Sequence, residues 1–195
     1  LPTSADDVRP NGFSVTIDQD IEVQSLKNDA SAPADADGEF TVTGDYTLTI
    51  SSVIQCFATN LLTYNGTGTA YITGTTGSSA IISSTTTNDT ATVTHSGTGT
   101  LIVDMVINSC INTETNRYNV QVTEGGILTC LKEVSKAEGS ATTSSAAILV
   151  STTNGAILNL KNVVGAGSAV GSNSEMRLII CSVTATFNII GNIIA

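Results

Sequence analysis

Threonine and serine alternate with aliphatic residues along almost the whole chain, and this period of two constrains the fold more than any other feature. The alternation is clear in the segments Thr41-Val42-Thr43 and Ala91-Thr92-Val93-Thr94. A period of two places successive side chains on opposite faces of a β-strand, and threonine and valine both favour a half-buried pleated surface. The pattern therefore predicts an all-β protein.

Short apolar segments with turn residues between them define the expected architecture. We count ten or more such segments, which favours one all-β domain over residues 1–195, folded as an antiparallel sandwich, barrel or rolled sheet. Glu124-Gly125 separates two of them and predicts a hairpin. Residues 127–137 are the best helix candidate, so we expect at most one short helix. The sequence Gly-Thr-Gly-Thr follows both Asn65 and Ser96, which predicts paired hairpins rather than a solenoid.

The composition limits the partners that the protein can have. The net charge is −10, and residues 1–50 hold ten acidic residues against Arg9 and Lys27. Nucleic acids and anionic membranes both need a basic patch, so neither is an expected partner. No apolar run approaches the roughly 20 residues of a spanning helix, so we expect no membrane span. Aromatic residues make up only 4%, so the core must consist of aliphatic side chains.

Two short acidic runs are the candidates for a metal site. They are Asp18-Gln19-Asp20-Ile21-Glu22 and Asp35-Ala36-Asp37-Gly38-Glu39. Carboxylates on alternate positions of a strand share one face and could hold Ca²⁺. A solvated acidic surface, which keeps a chain with few charges soluble, is the favoured interpretation, and we predict no metal site.

The cysteines and sequons point to an oxidising compartment. The four cysteines show no C-x-x-C spacing, so two disulfides are favoured over a zinc site. Three connectivities are open, and we favour Cys110–Cys130 with Cys56–Cys181. The chain begins at Leu1 without an apolar leader, which fits a processed, secreted protein. Asn65 and Asn88 begin two N-x-[ST] triplets and are the candidate glycosylation sites.

Catalytic signals are weak throughout the sequence. His95 is the only histidine, and no G-x-S-x-G motif provides a nucleophile for it. The glycine-rich segment 165–171 follows an apolar run, but the sequence after it predicts a turn and a strand. A phosphate-binding loop needs a helix N-terminus at that point. We therefore predict no enzyme, no catalytic residue and no cofactor.

Several segments are aliphatic on both faces of the predicted strand, for example residues 101–103 and 146–150. Burial on both faces implies a second layer, an assembly contact or a lined cavity. The leading prediction is a secreted protein that binds a small apolar ligand, such as a lipid, hormone or pigment. The alternative is an extracellular coat, adhesive, foam or fibre subunit that self-associates through its strands, including the apolar terminus at residues 189–195. An ice-binding threonine array is a minor hypothesis, because the Thr-x-Thr pairs lack one fixed period.

A short region adds a family resemblance. The residues Gly44-Asp45-Tyr46-Thr47-Leu48, followed by Tyr64-Asn65-Gly66-Thr67-Gly68-Thr69-Ala70-Tyr71-Ile72, resemble part of the insect juvenile-hormone-binding and takeout-like group. The resemblance implies a strongly curved sheet around a long helix, with an apolar ligand in a tunnel.

Overall fold

The described strands pair only in parallel and stack in successive turns of the chain. The structure is a computed structural model, and it describes residues 2–28, 38–56, 60–75, 81–84, 91–108, 118–135, 146–150, 154–164, 179–181 and 184–194. All described pairings join one turn to its neighbours in parallel register. The chain is therefore a β-solenoid, in which each coil contributes strands to the same faces.

One sheet has seven strands, and each described coil of the solenoid contributes one of them. This sheet, face 1, consists of β2 (Ser14–Ile17), β4 (Glu39–Val42), β6 (Leu62–Tyr64), β9 (Ala91–His95), β12 (Tyr118–Val122), β14 (Ala146–Val150) and β16 (Ile179–Cys181). The coil length varies, because Phe40 pairs with Leu62 in the next coil, whereas Leu62 pairs with Val93 after a clearly longer stretch of chain. Loops of different length absorb this variation, so the strands stay in register.

The second sheet has eleven strands and provides two further faces. Its strands are β1 (Asp7–Val8), β3 (Ile21–Lys27), β5 (Thr47–Cys56), β7 (Thr69–Gly74), β8 (Ile81–Ser84), β10 (Thr100–Asp104), β11 (Val106–Asn108), β13 (Ile127–Ser135), β15 (Ala156–Val164), β17 (Ala185–Ile189) and β18 (Ile193–Ile194). Face 2 consists of β7, β10, β17 and the first halves of β3, β5, β13 and β15. Face 3 consists of β1, β8, β11, β18 and the second halves of those four strands.

The core is a set of aliphatic columns, each built from one inward position of every coil. On face 2, Leu101, Leu128 and Leu158 lie directly above one another and are at most 1% exposed. On face 3, Ile54, Ile82, Ile107 and Val134 form a similar column and are fully buried. Strands β8 and β11 of face 3 approach β9 and β12 of face 1, so the faces enclose these columns.

The predicted antiparallel sandwich, barrel or rolled sheet is wrong, although the all-β prediction with ten or more strands is confirmed. The alternation of apolar and polar residues shows only that a strand has one inward and one outward face. The same alternation occurs in parallel and in antiparallel sheets, so it does not predict the direction of pairing. Most parallel sheets are buried on both sides, which makes alternation unusual in them. A solenoid is the exception, because its outer surface is solvated.

Two local predictions also fail. Residues 127–135 of the helix candidate form β13, with Leu128, Cys130 and Val134 pointing inward; residues 136 and 137 lie outside the described ranges. These three inward residues keep the period of two, and the apparent helical spacing depended on Leu131, which is only half-buried. The predicted hairpin at Glu124-Gly125 is instead a corner, because β12 belongs to face 1 and β13 to face 2.

The Gly-Thr-Gly-Thr repeat is the solenoid signal that the sequence contained. Thr69 pairs with Thr100, so the two copies occupy the same corner of adjacent coils rather than paired hairpins. The amide of Gly99 donates to the Gly66 carbonyl over 3.1 Å, and a Cβ on Gly97 would collide with the Gly66 carbonyl oxygen. Glycine is needed in this corner because the two backbones approach too closely for any side chain.

Candidate functional site

The C-terminal coil exposes side chains that occupy core positions. Phe187 stands directly above Leu158 in the inward column of face 2, yet Phe187 is 40% exposed while Leu158 is fully buried. Exposure changes in the same way along a second column, from Leu160 at 0% to Ile189 at 42%. These residues are exposed because no further coil covers them within the described residues.

Face 3 ends in the same way. Ile193 pairs with Val163 and continues the column above the fully buried Val134, but it is 68% exposed. Ile190, between β17 and β18, is also 68% exposed. Together with Phe187 and Ile189, they form a surface that we call the apolar end (Phe187, Ile189, Ile190 and Ile193). Sequence reasoning had named the terminal isoleucines as an assembly edge but had missed Phe187.

The backbone at the apolar end is also unpaired on one side. Strands β17 and β18 pair only with β15 among the described strands, and β16 pairs only with β14. Their outer N–H and C=O groups are therefore available to another strand, which is the usual hazard of an edge strand. Proteins commonly protect such an edge with charges, but residues 178–195 contain no Asp, Glu, Lys, Arg or His. This absence of charge is the sequence signal for the site.

The N-terminal end is covered and charged. Strand β1 adds a rung on face 3 by pairing with Ser25 and Leu26 of β3. The Asp7 carboxylate accepts hydrogen bonds from Ser25 Oγ and, over 2.8 Å, from Lys27 Nζ. These two bonds hold the pKa of Asp7 below its ordinary value. On face 3 this end is therefore covered by a strand and an ion pair.

The acidic run of the first coil lies on the surface and holds no metal cluster. Asp18, Asp20 and Glu22 are exposed, and Asp20 Oδ1 accepts the backbone N–H of Thr47 over 2.8 Å. Asp45 makes the same bond to the N–H of Thr69 one coil later. The described residues contain no group of three or more potential metal ligands, and residues 35–37 of the second acidic run lie outside them. Two of these carboxylates therefore join consecutive coils at one corner.

His95 is a buried structural residue of face 1. Its Nε2 lies 3.1 Å from the Gly99 carbonyl oxygen, and its ring lies 5.2 Å from that of Tyr64. Desolvation lowers the pKa of His95, so the neutral imidazole is favoured. The residue is 0% exposed. A substrate in solution therefore has no access to the ring in this conformation.

The cysteines are distributed along the solenoid. Cys130 is fully buried and forms no disulfide with another described cysteine, and burial of its thiol raises its pKa to about 12. Its predicted partner Cys110 lies outside the described residues, so that pairing stays a prediction. Cys56 ends β5 in the second coil and Cys181 ends β16 in the seventh. Five coil steps of about 4.8 Å separate them by roughly 24 Å, well beyond the Cα separation of about 7 Å that a disulfide can bridge.

The remaining sequence candidates divide between described and undescribed residues. Asn65 is exposed at a corner, where its N-x-[ST] triplet is accessible. Asn88 and the glycine-rich segment 165–171 lie outside the described ranges. Glycosylation at either asparagine stays a prediction.

The threonines of face 1 form an outward ladder that the sequence did not reveal. Thr16, Thr41, Thr63 and Thr94 are in register on four consecutive coils. The register is not visible in the sequence, because loops of unequal length separate the aligned threonines by different numbers of residues. Thr94 is only 6% exposed, and Gln121 takes its place in the next coil. The accessible hydroxyl array is therefore small.

The comparisons with known proteins give no family for this chain. No family model, curated protein or solved structure matches it. The resemblance to the juvenile-hormone-binding group stays a prediction, and the long helix that it implies is not among the described elements. None of the described residues forms a helix that is long and apolar enough to cross a membrane.

Proposed function

We propose that the protein is an extracellular structural or interaction subunit that self-associates through the apolar end. The observation that carries this proposal is the exposure of Phe187 and Ile189 at positions that are buried in the preceding coil, together with the exposure of Ile193 above the half-buried Val163. An edge with unpaired backbone groups and uncovered apolar side chains favours association with another β-strand. The N-terminal end exposes Phe13, but β1 covers its face 3 and the same coil carries the exposed carboxylates of Asp18, Asp20 and Glu22.

The apolar-ligand prediction has less support from the fold. The aliphatic runs that suggested a pocket divide into inward columns, which fill the interior, and outward positions such as Val53, Ile81 and Val106. The inward side chains pack on each other from coil to coil, and the outward ones are only half-buried. Native mass spectrometry of the purified protein checks this prediction, and we expect it to find no bound lipid or pigment.

Sedimentation velocity over a range of protein concentrations tests the proposed function. We expect the average mass to rise reversibly with concentration, because the apolar end has affinity for another copy. A strict monomer at the highest soluble concentration would contradict the proposal.

A further inference from the structure

We propose that the apolar end binds the apolar end of a second copy, which gives a closed, two-fold dimer rather than a fibre. This inference rests on the proposed function and specifies its partner. A two-fold axis lets the same surface serve on both subunits and leaves both N-terminal ends outside. The alternatives are a head-to-tail contact, which would continue into a filament, and contact between two N-terminal ends.

The charge distribution disfavours both alternatives. The first coil presents Asp18, Asp20 and Glu22, whereas residues 178–195 carry no charged side chain. A head-to-tail contact would bring these carboxylates close to an end that offers no cation, and desolvation of an unpaired charge is costly. Contact between two N-terminal ends would bring two acidic surfaces together. The apolar end, by contrast, meets an identical surface without any desolvated side-chain charge.

The shape of the N-terminal end also disfavours a head-to-tail contact. Strand β1 occupies face 3 one rung beyond β3, whereas no described strand covers β2 on face 1 or the residues 21–23 on face 2. A second copy stacked on this end would meet β1 first, and faces 1 and 2 would be left one rung apart. At the other end of the described chain, β16, β17 and β18 belong to the same seventh coil, so that end offers one complete rung.

Backbone pairing in the proposed dimer is antiparallel. A two-fold axis that passes through face 2, perpendicular to that face, brings β17 against the β17 of the second copy and reverses the direction of the partner strand. Antiparallel pairs are slightly more stable per residue than parallel pairs. The exposed side chains of Phe187 and Ile189 then pack across the axis and lose their contact with water.

The size of the end indicates a weak association. In one coil, the 5 residues of β12 and the 9 residues of β13 span about 16 Å and about 30 Å at about 3.3 Å per residue. An end of these dimensions is small beside a standard protein interface. We therefore expect a dimer that dissociates reversibly on dilution, with a Kd that depends on the packing of the apolar side chains rather than on area alone.

A matched pair of variants tests the orientation. Ile193→Glu places a charge in the apolar end, and Phe13→Glu places the same charge near the other end of the solenoid. Both wild-type side chains are 68% exposed, so neither substitution disturbs the core, and circular dichroism checks that both variants fold. In the dimer each substitution occurs twice, so Ile193→Glu buries two carboxylates. We expect it to raise the Kd by at least about tenfold, and Phe13→Glu to leave the Kd unchanged.

Sedimentation equilibrium of the full chain and both variants gives distinguishable outcomes. A plateau at twice the chain mass, lost in Ile193→Glu and kept in Phe13→Glu, is the expected result. Growth without a plateau, or equal weakening by both variants, would overturn the dimer but leave self-association intact. A monomer at every concentration would overturn both the dimer and the proposed function.

Discussion

At both ends of the described solenoid, backbone groups and core positions lack a neighbouring coil on one side, but the two ends differ in how these groups are covered. Among the described residues, the first and the seventh coils each pair with a neighbouring coil on one side only, apart from β1. At the N-terminal end, β1 and the Asp7–Lys27 ion pair cover part of the last rung. At the C-terminal end, Phe187 and Ile193 remain exposed and no charged side chain is nearby in the sequence. The comparison teaches that the two ends of the solenoid differ from each other in exposed apolar side chains and in charge.

Removal of the N-terminal cover should have the largest effect on this contrast. Deletion of residues 2–8 removes β1 and uncovers the backbone edge of Ser25 and Leu26. The truncated chain then has a second unpaired edge on face 3, whereas the acidic run lies at the corner between β2 and β3. We therefore expect association through this edge to give species larger than a dimer at concentrations where the full chain stops at a dimer. Light scattering of both proteins measures the difference. An unchanged mass distribution would show that β1 does not protect this end.

Two alanine substitutions in the same core column, one in a middle coil and one in the seventh coil, measure how much the side chain in the seventh coil is exposed to water. Leu128→Ala, in the middle of the column, should lower the free energy of unfolding by about 2–5 kcal/mol. Phe187→Ala, at the top of the same column, should lower it by only about 1 kcal/mol, because that side chain is partly solvated already. Urea denaturation at low protein concentration gives both values. Equal losses would mean that Phe187 is covered in solution.

Acidic pH should destabilise the pairing of β1 at the N-terminal end and leave the apolar end unchanged. The folded-state pKa of Asp7 is lowered by Lys27 and Ser25, so its contribution is present above the unfolded-state pKa of about 4 and is lost as the pH falls through the folded value. We expect the hydrogen-exchange protection of β1 to fall below about pH 4, with that of β17 unchanged. The variant Asp7→Asn should lack this pH dependence in β1; its persistence would assign the effect to another group.

A side-chain ladder near the apolar end should give the smallest effect. Asn188 donates to Asn159, and Asn159 donates to Thr129, over 2.9 and 3.1 Å. Asn159→Ala breaks both hydrogen bonds and should lower the free energy of unfolding by about 1 kcal/mol. Asn188→Ala breaks only one of them and should lower it by less. Thermal unfolding of the two variants ranks them. The reverse order would mean that the ladder does not connect these coils.

The sequence predicted strands well because alternation is a local property. Threonine and valine at period two define an inward and an outward face whatever the pairing partner is. Direction of pairing is not local: it depends on which residues return to the same face, and here the return distance differs between the pairs Phe40–Leu62 and Leu62–Val93. The one visible clue was the pair of Gly-Thr-Gly-Thr corners, whose 3.1 Å backbone contact between Gly99 and Gly66 requires stacked coils.

The candidate site was only partly predictable for the same reason. The apolar, uncharged C-terminal segment is visible in the sequence, and it identified the terminal isoleucines as an assembly edge. Phe187 could not be recognised as an exposed residue from the sequence, because it stands in the same alternating pattern as a buried residue such as Leu158. Only the stacking order shows that Phe187 occupies the last coil. His95 shows the opposite case, since a lone histidine suggested chemistry and is a buried corner residue.

The central claim is that the two ends differ, and hydrogen exchange at several protein concentrations tests it most directly. We expect the amides of β17 and β18 to gain protection as the concentration rises, because the partner's strand occupies their free edge. The amides of β2 and of residues 21–23 in β3 should show no change. Protection that rises at both ends, or at neither, would contradict the account.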